Sequence, residues 1–80
     1  MLNLKFNKDQ IEWMEKNVFP AFNMKSIEDL TIDNFDEFFD YIVEEFEVPL
    51  AMNDNEYDKN KPKLNFICSI LDIMENSEYF

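Results

Sequence analysis

Eighty residues make one domain with a thin core, because a chain this short buries only about 60% of its unfolded surface. Forty-six per cent of the residues are hydrophobic, and nine Phe, three Tyr and one Trp supply large areas per side chain, which excludes simple disorder. The net charge is −11 with no Gly and no His, so phosphate-cradling glycine loops and histidine-based catalysis or metal ligation are excluded at the motif level.

The first segment, Leu2 to Phe6, alternates apolar and polar residues. A lone strand has no obvious partner here, so it reads as an extended lead-in. Asn7 then reads as an N-cap, with Gln10 at the capping-box position and Phe6 and Ile11 placed for a hydrophobic staple. Ile11, Met14 and Val18 follow at helical spacing, and Pro20 restricts Phe19, so a first helix is expected over 8–18.

Residues 20–30 read as a connection with one short turn begun by Ser26. Thr31 is the expected cap of a second helix over 32–47. Its Phe35, Phe38, Phe39, Ile42, Val43 and Phe46 recur at intervals of three and four, the stripe of a core-facing helix. Val48-Pro49 ends it, and the polar stretch to Lys63 reads as an exposed loop. Asn60 caps a third helix over 61–76, with Pro62 in its first turn. Leu64, Phe66, Ile67, Cys68, Ile70, Leu71, Ile73 and Met74 surround that helix, which places it centrally. The expected fold is all-α, a small bundle of three helices or four, spanning residues 1–80 as a single domain. The final Tyr79-Phe80 is either disordered or docked on the bundle.

The charge is segregated. The 33 residues between Lys25 and Lys59 hold twelve of the 18 acids and no lysine. Within the second helix Asp33, Glu37, Asp40, Glu44 and Glu47 are separated by four, three, four and three residues. They share one face opposite the Phe stripe, in a row about 21 Å long. Asp36, Glu45 and Tyr41 belong with this face as expected contact residues, Tyr41 as an aromatic among carboxylates. Like charges at i,i+4 cost about 0.2–0.5 kcal/mol each, so stability alone favours lysines among them. A solvated polar face is the plain reading of such a row. A contact surface for a cationic partner is the sharper one: the row approaches the spacing of a phosphate strand, one charge per roughly 3.4 Å.

Other chemistry finds little support. Asp54, Glu56 and Asp58 alternate as in a calcium loop, but Lys59 and Asn65 stand where an EF-hand needs Gly and Glu. Cys68 has no His to activate it and lies on the most apolar helix, so it reads as packing. The methionines Met14, Met24, Met52 and Met74 read as core fillers. No enzyme activity, cofactor or metal is expected. A single cysteine, no signal peptide at Met1–Gln10 and no apolar run of membrane length point to the cytoplasm.

No family is recognisable from the residues. As a class, a short, acidic, cysteine-poor chain resembles the small inhibitors that phages and mobile elements encode, including nucleic-acid mimics directed at restriction or CRISPR enzymes. The expected partner is a basic, nucleic-acid-binding protein, with no direct contact to nucleic acid or membrane. An antitoxin or immunity protein that neutralises a basic toxin is the alternative with the same electrostatics. A non-catalytic assembly subunit is the alternative without them.

Overall fold

The computed structural model describes residues 4–78, so the readings for Leu2, Asn3, Tyr79 and Phe80 lie outside the described residues. The protein is an all-α bundle, with no strand among those residues. Helix α1 spans Lys8–Asn17. Two 3₁₀ turns, Phe19–Phe22 and Ile27–Asp29, lead to α2, Ile32–Ile42. The chain then continues through a π-helical segment, Val43–Glu47, into the short α3, Val48–Ala51. A further 3₁₀ turn, Asp54–Glu56, precedes α4, Tyr57–Glu75.

Local chemistry sets the helix starts. The Asn7 side chain accepts from the Gln10 N–H and the Gln10 side chain accepts from the Asn7 N–H, both at 2.8 Å. This is the reciprocal box that satisfies two otherwise orphaned donors. At α2 the Asn34 Oδ1 accepts from the Thr31 N–H at 2.7 Å, and in the preceding turn Asp29 accepts from Lys25 N–H at 2.8 Å. The chain has no glycine to close its turns, and Asn23 takes that place with φ 55°. An Asn side chain tolerates the left-handed region better than most. The Met24 N–H reaches the Phe19 carbonyl at 3.0 Å and the Asn23 N–H reaches Pro20 at 3.4 Å, a Schellman-type closure.

The core joins all the main elements. Met14 and Val18 from the α1 region meet Phe35, Phe38 and Ile42 from α2 and Ile67, Ile70, Leu71 and Met74 from α4. The connection supplies Phe19, Met24 and Leu30. Phe38 sits 6.2 Å from Phe19 and 5.5 Å from Phe22, ring centre to ring centre. Each fully buried Phe contributes about 1.5–3 kcal/mol of transfer free energy. One buried polar side chain, Gln10, bridges α1 to α4 by donating to Ser69 Oγ at 3.0 Å.

Four expectations are corrected here. The second helical run does not stop at Val48-Pro49 but proceeds to Ala51. A proline ring pushes against the carbonyl four residues back, here that of Glu45, which lies inside the π segment. There the backbone already departs from the i→i+4 ladder. The stretch 49–63 is largely helical and not an open loop, because α4 begins at Tyr57. Asn60 is therefore inside a helix and not its cap, and Pro62 is the sixth residue of α4. Finally, Met14, Met24 and Met74 fill the core as expected, but Met52 is 74% exposed.

Candidate functional site: an acidic face on α2

Helix α2 places its phenylalanines inward and its carboxylates outward, as a 3.6-residue period requires. Asp33, Asp36, Glu37 and Asp40 are exposed along α2, and Glu44 and Glu45 continue the exposed series into the π segment. From Asp33 to Glu44 the row is about 16 Å long at 1.5 Å per residue. Asp33 stands in the first turn, where the helix dipole also favours a negative charge. Ile32, beside Asp33 on the same turn, is 69% exposed.

Among the described residues no cation is paired to this face. Among the described residues the one ion pair is Lys8 with Glu12 at 3.9 Å, on the surface of α1. Asp29, although within the lysine-free stretch, is engaged in capping backbone N–H groups. The exposed carboxylates of α2 and the start of the π segment have no such partner.

Two of the expected contact residues are placed differently from the rest. Glu47 is half-buried, and its carboxylate accepts a 3.4 Å hydrogen bond from the Cys68 thiol on α4. The physical reason is the π segment. A turn closed by i→i+5 bonds holds more residues than an α turn, so side chains beyond it lag behind the α phase. On an unbroken α-helix Glu47 would lie with Asp40 and Glu44; after the lag it turns toward α4. Glu45, expected with the acidic face, is exposed. Tyr41 is half-buried, with ring centres 5.4 Å from Phe22 and 5.9 Å from Phe46, both edge-on. It is an edge of the aromatic packing more than an aromatic set among carboxylates.

Cys68 is held as a thiol. Partial burial, then the hydrogen bond to Glu47, then the negative charges of Glu47, Asp72 and Glu75 push its pKa up from 9.0. A nucleophilic cysteine needs the opposite shift. Among the described residues no group of three or more Cys, Asp or Glu converges as metal ligands would. No helix there is long and apolar enough to cross a membrane.

Beside the acidic face lies a groove that the sequence reading did not anticipate. It is open, holds about 560 Å³, and is walled by α1, by the π segment with α3, and by α4. Trp13, Phe46, Leu50 and Phe66 form its apolar lining, with Trp13 edge-on to Phe46 at 4.9 Å and to Phe66 at 6.2 Å. Glu45 and Lys63 also line it. Part of its wall, Pro49, Leu50, Pro62 and Lys63, comes from the stretch read as a loop, which the helical continuation through Pro49 and Pro62 brings against Trp13, Phe46 and Phe66. Reading Pro49 as a helix end and Pro62 as part of a helix's first turn hides that signal.

No family model matches this chain, and no curated protein or solved structure is similar enough to it to carry an argument.

Proposed function

We propose that this protein is a small, non-catalytic inhibitor that occupies a basic nucleic-acid-binding surface of a target protein, presenting α2 as a substitute for a phosphate strand. The observation that carries the reading is the row of exposed carboxylates Asp33, Asp36, Glu37, Asp40 and Glu44, with no cation among the described residues paired to any of them. Such a row attracts a cationic groove over distances of about a Debye length, roughly 8–10 Å at ordinary salt, and steers association. The buried phenylalanines on the opposite side of α2 support the reading, because they keep the charges on a rigid helix. The inhibitor's setting, in this reading, is the cytoplasm of a bacterium and its phages, with restriction and CRISPR enzymes as the natural class of target.

The test is capture of partners on the tagged protein from such a lysate at low and moderate salt, beside the double variant Asp40→Lys, Glu44→Lys. The expected result is a basic, nucleic-acid-binding protein that the wild type retains, the variant loses and added duplex DNA displaces. Retention by both forms alike would overturn the reading. A captured nuclease that binds DNA and this protein together, in a ternary complex, would instead support neutralisation of a toxin at an exosite.

A further inference from the structure

The groove and the acidic face share a residue. Glu45 is exposed, belongs to the carboxylate series that continues from α2, and also lines the groove whose floor is Trp13, Phe46, Leu50 and Phe66. We propose that the groove seats a bulky apolar side chain from a cationic segment of the protein partner, with the cation meeting Glu45 and the remainder of the segment lying along α2. This deepens the proposed function and rests on its premise that the partner is basic.

Three features select this occupant. The groove is lined mainly by aromatic and aliphatic groups, so its favoured content is apolar. Charge around it is asymmetric: Glu45 leads onto the uncompensated acidic row, whereas Lys63 comes from the α4 wall and repels a cation. A polyanion such as nucleic acid would meet the acidic row first and is disfavoured. The occupant's positive charge therefore sits on the Glu45 side. Apolar anchors beside charged contacts also divide the work of an interface. The anchor supplies area removed from water and the charges supply orientation and rate.

Trp13 is the single tryptophan of the chain and lines the groove, so its fluorescence reports occupancy without a label. Three short capped peptides serve as probes: Lys-Lys-Leu-Phe-Lys-Lys, Lys-Lys-Ser-Ser-Lys-Lys and Glu-Glu-Leu-Phe-Glu-Glu. The first is expected to bind roughly tenfold more tightly than the second, and it alone shifts the Trp13 emission. Lys63→Glu is expected to raise its affinity by about threefold and Glu45→Lys to lower it by a similar factor, changes that screened surface charges commonly produce. Equal binding of the first two peptides with unmoved Trp13 emission would overturn the groove proposal. The acidic-face reading would survive that result if Asp40→Lys, Glu44→Lys still weakened both peptides. Equal binding of the acidic peptide would overturn the proposal by removing charge selection, and binding by none of the three would overturn it as well.

Discussion

The continuous helical run from Ile32 to Ala51 has two halves with similar shares of acidic residues and different outcomes. In α2 Phe35, Phe38 and Ile42 are fully buried in the core and the acids face outward. In the π segment no residue is fully buried, one carboxylate turns inward to a thiol, and Phe46 helps to wall an open groove. The density of acidic residues does not distinguish them. Phase does. A single stretch of i→i+5 winding is enough to convert a ridge into a shoulder, and π segments of this kind recur at functional places in helices.

The largest expected effect breaks the first half. Phe38→Ala removes a fully buried ring that packs on Phe19 and Phe22, and is expected to cost about 3–5 kcal/mol in denaturant unfolding. In a domain of 80 residues that is a large part of the total stability. A loss well below 1 kcal/mol would mean that the acidic face is not braced from behind.

The next prediction concerns the α4 wall of the groove. Pro62 lies inside α4 and removes the hydrogen bond to the Asp58 carbonyl that an α-helix would make there. Pro62→Ala is expected to stabilise the protein by about 1–3 kcal/mol, read from the unfolding midpoint at unchanged slope. If 57–63 were an open loop, the same change would be neutral or destabilising, since it frees the unfolded chain.

A smaller effect tests the inward turn of Glu47. The pH dependence of Cys68 alkylation is expected to have its midpoint above 9.0, and Glu47→Gln is expected to lower that midpoint without restoring it fully, because burial is the first cause of the shift. The linkage has a definite sign. With the folded pKa above the unfolded one, the thiol's contribution to stability is present below the unfolded value and is lost as pH rises through the folded value. A midpoint unmoved by Glu47→Gln would place the carboxylate outward, in line with Asp40 and Glu44.

What the sequence made legible follows the same division. The Asn7–Gln10 box, the start of α2 at Thr31 and the Phe stripe are set by residues within one turn of each other, and all are found. The phase lag after Ile42 leaves no mark on local residue pattern, so Glu47 was placed by an α angle that the backbone does not keep. Tyr41 packs on Phe22, a residue of the connection whose position depends on tertiary closure. The 49–63 stretch resembles a loop because its exposed polar residues and two prolines carry no apolar period, although packing of α3 and α4 makes it helical. Exposure of Asp33, Asp36, Glu37, Asp40, Glu44 and Glu45 agrees with the face the sequence outlined; contact with a partner is the proposal built on it.

The central claim is that α2 carries a row of like charges left without internal compensation. Thermal unfolding of the wild type and of the Asp40→Lys, Glu44→Lys variant, followed from low to moderate sodium chloride at neutral pH, tests it directly. Screening should stabilise the wild type, and the variant should start more stable by about 0.5 kcal/mol and gain clearly less from salt. Parallel salt responses of the two proteins, or a wild type that loses stability as salt is added, would contradict the claim.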